Sequence, residues 1–207
     1  MDIQLDHVTK RYGSKCIFKE YNLLIYHGEF VCISGESGKG KSTLLNLMGA
    51  LDTPDSGEII IKNIKNPQFG TRKCRELLQR EISFLFQNYG MVDNRTVLYN
   101  LQIGARIGKK SKEDIVSAME NVGLGKEYLE QKIFQLSGGE QQRVALARIA
   151  LKPSSIILAD EPTGSLDYGN KKKVMGILQG LHQQGKTIIV VTHDPEVVQY
   201  ADRVIAL

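Results

Sequence analysis

The segment Gly35-Glu36-Ser37-Gly38-Lys39-Gly40-Lys41-Ser42-Thr43 constrains this chain more than any other. It follows the apolar run Phe30–Ser34 and opens a helical pattern, so it reads as strand, glycine loop and helix. The spacing G-x-x-x-x-G-K-[ST] in that setting is a phosphate-binding loop. Its glycines let the backbone wrap an anion, and the N–H groups of the loop and helix start point at it. Lys41 supplies a positive charge for β- and γ-phosphates, and the Ser42 hydroxyl suits Mg²⁺. A loop of this kind sits on a buried parallel strand, which directs the reading toward an α/β fold.

The rest of the pattern agrees. Strands are expected over residues 3–8, 58–62, 82–86, 156–160, 187–192 and 203–206. A further strand over 22–26 is expected to form a hairpin with Phe30–Ser34. Helices are expected over 43–50, 71–80, 97–107, 112–122, 140–152, 170–184 and 195–200, with Pro153 stopping the fifth. Strands separated by helices imply a P-loop α/β fold with a mostly parallel core sheet flanked by helices. The early strands lack intervening helices and predict an N-terminal antiparallel β patch. Residues from about 88 to 143 show helices and no strand, so they read as an all-helical subdomain inserted into a core of residues 1–87 and 144–207. At 207 residues the whole chain fits one domain.

Two further segments carry chemistry. Asp160 and Glu161 follow four apolar residues at the carboxyl end of a buried strand, where open α/β sheets bind ligands. Beside a phosphate loop, Asp160 is suited to orient Mg²⁺ and Glu161 to polarise an attacking water as general base. Leu136-Ser137-Gly138-Gly139-Glu140-Gln141-Gln142-Arg143 precedes a long helix, with Ser137 as a good N-cap. Ordinary capping explains that segment; so does a second anion cradle at a helix N-terminus.

The eight-residue string decides between them, because it resembles the signature of ATP-binding-cassette (ABC) ATPases. The resemblance then covers nearly the whole chain in the family's motif order. It implies Mg²⁺-dependent hydrolysis of ATP. It implies that Tyr12 stacks on adenine and that residues Gly35, Glu36, Ser37, Gly38, Lys39, Gly40, Lys41, Ser42 and Thr43 hold the phosphates. Gln87 matches a glutamine that reaches Mg²⁺ and the attacking water, and His193 matches a histidine on the γ-phosphate. Ser42, Gln87 and Asp160 are the implied metal residues; Glu161, His193, Gln87 and Lys41 are the implied catalytic set. Ser165-Leu166-Asp167 matches a loop that communicates across a dimer. Ser137, Gly138, Gly139 and Asp167 are implied to serve the nucleotide of the opposite subunit in a head-to-tail homodimer, or with a paired ABC subunit. Lys39 departs from the family pattern, which has a small residue there.

Composition narrows the partners. Lys+Arg is 27 and Asp+Glu is 23, a net charge of +4, too small to indicate nucleic acid. The basic run Lys171-Lys172-Lys173 reads as a solvated helix face. The longest stretch without Asp, Glu, Lys or Arg is residues 174–185, well short of a membrane span. The N-terminus lacks a signal-peptide design, and three cysteines without Cys-x-x-Cys spacing fit a reduced compartment. The chain is therefore expected to be cytoplasmic, with no regulatory tail, and peripheral on the inner face of the membrane through a separate permease chain. Residues 92–101 resemble the lipoprotein-releasing and macrolide-exporting ATPases and the small bacteriocin-export ATPases. That favours an exporter of peptide, lipoprotein or drug type. The alternative is a soluble ABC ATPase acting on nucleic acid or ribosomes; a binding module without turnover is disfavoured by the intact catalytic motifs.

Overall fold

The computed structural model describes every residue except Ser165, so the part of the dimer-communication loop that falls on Ser165 lies outside the described residues. Strands β1 (Ile3–Tyr12), β2 (Lys15–Ile25), β4 (Ser56–Ile61) and β5 (Ile64–Lys65) form an antiparallel sheet in the order β2-β1-β4-β5. Strands β3 (Phe30–Ser34), β6 (Ile82–Leu85), β7 (Ile156–Asp160), β8 (Thr187–Val191) and β9 (Arg203–Ala206) form a parallel sheet in the order β6-β7-β8-β3-β9. The expected antiparallel patch and parallel core are both present.

The expected hairpin between residues 22–26 and Phe30–Ser34 does not form. β2 pairs with β1, and β3 pairs with β8 and β9 in the other sheet. The reason is burial. Phe30, Val31, Cys32 and Ile33 are all fully buried, which demands cover on both faces, whereas β2 alternates with exposed residues. Gly28, at φ +72, turns the chain from one layer into the other.

Strands β3, β6, β7 and β8 of the parallel sheet each feed two core clusters. Ile156 and Leu158 of β7 pack with Leu44, Leu47 and Met48 of α1 (Lys41–Met48) and with the antiparallel sheet. Ile157 and Ala159 face the opposite cluster. That cluster joins α3 (Val97–Gly108), α4 (Lys112–Asn121), α5 (Gly138–Ala150) and α6 (Tyr168–Gln183). Helix α2 (Arg72–Arg80) starts at the cap Thr71 and precedes β6. The short α7 (Pro195–Val198) starts at the cap Asp194. Between β6 and β7 the structure is helical, with 3-10 turns at Lys126–Tyr128 and Ile133–Gln135. Asn100 is fully buried there and clamps the loop before α3, its amide bonding Val92 N–H, Val92 O and Thr96 O. No described helix is long and apolar enough to cross a membrane.

Candidate functional site

The register of the parallel sheet assembles the site. Ile33 of β3 pairs with Val191 of β8, Asp160 of β7 pairs with Val191, and Leu85 of β6 pairs with Ala159. The carboxyl ends of these strands are thereby level. The glycine loop, the pair Asp160-Glu161, the pair Thr192-His193 and Gln87 all leave from one edge, as ligand-binding crevices of such sheets require. They enclose a cleft of about 610 Å³ that Gly35, Lys41, Ser42, Gln87, Glu161 and His193 help to line. Glu36, Ser37, Gly38, Gly40, Thr43 and Asp160 line it too.

Lys41 is 8% exposed, and its ammonium donates to Gly35 O at 2.8 Å and Glu36 O at 2.9 Å. Gly40 sits at φ +95 as the N-cap of α1, and a Cβ there would lie 2.5 Å from Ile17 Cγ2. Strand β2 thus presses on the loop, and no motif announces Ile17. Burial pushes the Asp160 carboxyl pKa up and the neighbouring Glu161 charge adds to that, while the nearby Ser42 hydroxyl and Lys41 charge act the other way.

Glu161 occupies the left-handed region at φ +46, uncommon for a residue with a side chain. Its N–H donates to Val191 O at 2.8 Å, which fixes the turn at the strand end. Its carboxylate accepts from Thr192 Oγ1 at 3.1 Å and from His193 Nδ1 at 2.7 Å. A carboxylate only accepts, so the imidazole proton in this bond sits on Nδ1. In a neutral ring Nε2 is then an acceptor. His193 can donate to a phosphate through Nε2 only as an imidazolium or after leaving Glu161.

Three sequence candidates lie away from the cleft lining. Tyr12 is half exposed; its hydroxyl donates to Asp52 at 2.6 Å and the Lys10 ammonium lies 5.0 Å from its ring centre. Lys39 is exposed and 4.0 Å from the Glu36 carboxylate. The third is the group Ser137, Gly138, Gly139 and Asp167. Ser137 caps α5 in a reciprocal box with Glu140, whose carboxylate also accepts from Tyr128. Both readings of this segment therefore keep a physical basis: the cap is made, and the N–H groups of Gly138 and Gly139 find no partner among the described residues. Asp167 caps α6 through Asn170.

The sequence model of the ABC transporter family matches residues 18–164, well over half of the chain. The chain belongs to the ABC transporter family. Membership makes this ABC chain an ATP-binding, ATP-hydrolysing subunit of that type. It is similar to the ABC transporter ATP-binding protein MJ0796 of Methanocaldococcus jannaschii, 40% identical over 99% of this chain and 92% of that protein. It is also similar to the macrolide export ATP-binding/permease protein MacB of Pasteurella multocida, 38% identical over 99% of this chain. The ABC chain spans only 33% of that MacB, about a third of its length. A solved dimer of MJ0796 in a post-hydrolysis state with ADP and Pi superposes with a TM-score of 0.88 at 37% identity, covering 99% of this chain and 94% of that one.

Proposed function

We propose that this ABC chain hydrolyses ATP to ADP and phosphate to drive a separate membrane permease, in the export direction. The observation that carries it is the level strand ends. They bring Lys41, Ser42, Gln87, Asp160, Glu161 and His193 to one cleft, while the second anion cradle lies outside it. A cradle outside its own cleft would serve another subunit's nucleotide. Tyr12 would lie under adenine at the edge of β1. Lys41 and the loop N–H groups would hold the β- and γ-phosphates. Ser137, Gly138, Gly139 and Asp167 would close on the partner's ATP.

The residues fit Mg²⁺. Ser42, Asp160 and Gln87 offer only oxygen ligands of the kind a hard cation takes, and Mg²⁺ commonly needs one or two carboxylates beside substrate phosphates. When bound, the ion would neutralise charge on the phosphates. Asp160, desolvated and only partly offset by Ser42, is suited to face a cation. In the reaction a water oxygen bonds to the γ-phosphorus as the bond to the bridging oxygen breaks, and ADP departs. Glu161 takes the water's proton on a carboxylate held by Thr192 and His193. The work of the site is positioning and electrostatics.

A groove of about 210 Å³ beside Gln87 supports the permease. Phe84, Phe86, Ile103 and Ile107 line it with Arg148 and Lys152. Arg148 donates to Gly90 O and Tyr89 O, and Lys152 to Leu78 O and Ile82 O, so both cations rest on carbonyls, with no carboxylate partner among the described residues. Burial, with the Arg148 charge behind it, pushes the Lys152 pKa down to about 8. An apolar permease segment carrying an acidic residue would complement this groove and bear on Gln87 through Phe86. The chain would then sit peripherally on the cytoplasmic face of the membrane. The MacB name points to macrolide-like drugs as cargo, and the resemblance of residues 92–101 adds peptides or lipoproteins as candidates.

Glu161→Gln tests the proposal. It should bind ATP, dimerise with it and lose about 10²- to 10⁴-fold in turnover, the scale of a general base. Loaded with ATP on membranes, it should capture a multi-span permease. Normal turnover, or recovery of ribosomes or DNA in place of a permease, overturns the reading.

A further inference from the structure

Asn170, the third residue of α6, belongs to none of the motifs, yet it joins two of them. Its Oδ1 accepts from Arg143 Nη1 of α5 at 2.6 Å. Its Nδ2 donates to Asp167 Oδ2, and its backbone N–H donates to Asp167 Oδ1 at 3.0 Å. The partners fix the amide's orientation, because a guanidinium only donates and a carboxylate only accepts. Few side chains of this size can do both without charge. An aspartate would set two carboxylates together; a leucine would bond neither.

Arg143 makes the link strict. It is 8% exposed, its Nε has no hydrogen-bond partner among the described residues, and the Glu140 carboxylate one turn away acts on it through charge without a hydrogen bond. Asn170 is thus the one side chain to which this buried guanidinium donates among the described residues. A buried charge that loses its partner must move or be hydrated. The first turn of α5 also lies against the Asn170 amide, since a Cβ on Gly139 would come within 3.1 Å of Asn170 Cγ. One turn below, the Gln142 amide donates to Pro162 O, which ties α5 to the segment after Glu161. The start of α5 and the cap of α6 are therefore held as one body.

We propose that Asn170 is a positioning residue that registers the Ser137–Gly139 helix start against Asp167, so that a second copy of this chain meets both as one preformed surface. The proposal rests on the head-to-tail dimer of the preceding section. Asn170 touches neither nucleotide nor reacting atoms. Its loss should leave ATP binding in its own cleft intact and weaken closure on the partner.

The experiment uses the full chain with Glu161→Gln as parent and measures three quantities. These are the affinity of the monomer for a fluorescent ATP analogue, the melting temperature, and ATP-dependent dimerisation by analytical ultracentrifugation. Asn170→Ala should hold nucleotide affinity within about twofold and weaken dimerisation about tenfold or more, the scale of a hydrogen bond to a charged group. Asn170→Asp keeps the volume and the acceptor for Arg143 but loses the donor to Asp167. It should also dimerise more weakly, and it carries the test if the alanine variant fails to fold. Unchanged dimerisation in the folded variants overturns the proposal. So does a parallel fall in nucleotide affinity, which a merely structural role would produce. A parent that stays monomeric with ATP overturns the dimer and this proposal together, whereas a dimeric parent with unaffected variants overturns Asn170 alone.

Discussion

Lys41→Met removes a charge while keeping most of the stem, and its effect can be worked from the geometry. The ammonium has three donors. Two are taken by Gly35 O at 2.8 Å and Glu36 O at 2.9 Å, which leaves one for the cleft. A single hydrogen bond from a charged donor is worth about 1.5–3 kcal/mol. The Coulomb attraction of two unit charges about 4 Å apart, at an effective dielectric near 20, is about 4 kcal/mol. Both figures describe the same contact, so they bracket it and are not added. Affinity for ATP should fall by about 10- to 10³-fold. Fluorescence titration with a labelled ATP analogue and Mg²⁺ measures this directly. The parent's affinity should also decline with salt more steeply than the variant's, because the variant has lost a charge from the contact. An affinity within about twofold of the parent would mean that the third donor does not face phosphate.

Two glycines should respond with opposite signs. Gly40→Ala, at φ +95 and 2.5 Å from Ile17 Cγ2, should lower the melting temperature and weaken ATP binding. Gly176→Ala, inside α6 with open space around it, should stabilise by about 0.5–1 kcal/mol in urea titrations. Burial would raise the Asp2 carboxyl pKa, but hydrogen bonds from Lys62, Thr187 and His27 outweigh it and hold it below the ordinary 3.8. The folded chain then binds that proton less tightly than the unfolded one. The stabilisation is complete above about pH 3.8 and is lost as pH falls through the depressed value. Asp2→Asn should therefore melt lower at pH 7, and its gap to the parent should close in acid. Since the second cradle lies outside the chain's own cleft, turnover per molecule should rise with protein concentration; a constant specific rate would refute a shared site.

The sequence shows element types well where burial is one-sided or complete. Thr71, Thr96 and Ser111 cap helices within a residue of the expected starts, and Ser137 caps α5 as expected although that helix begins at Gly138 rather than at residue 140, because each is a short hydroxyl side chain before an amphipathic run. The partner of Phe30–Ser34 was not legible. Proximity in sequence favours a hairpin with residues 22–26, but four consecutive buried residues belong in the middle of a two-faced layer. The extension of β2 back to Lys15 was also hidden. Lys15, Cys16 and Lys19 give no apolar alternation, and the strand is held by its ladder to β1.

The site divides along the same line. Lys41, Ser42, Asp160, Glu161 and His193 are legible because each stands at a fixed offset from a strand end, and sheet register converts that offset into proximity. Thr192 stands just after β8 but carries no motif role, and Ile17 and Asn170 stand at no strand end of the parallel sheet. Thr192 matters because its hydroxyl fixes the Glu161 carboxylate, and Ile17 because β2 carries it against Gly40. Asn170 matters because α5 and α6 cross where Arg143 needs an acceptor. Motifs record the atoms that meet the nucleotide. The residues that set those atoms in register meet only the protein, and they follow from its packing. The His193 to Glu161 bond shows the consequence. The chain holds its candidate base in a bond with the histidine proposed for the γ-phosphate, so under that proposal nucleotide either finds His193 as an imidazolium or draws it away from Glu161. A site arranged this way is set by its own strands and completed by what binds it.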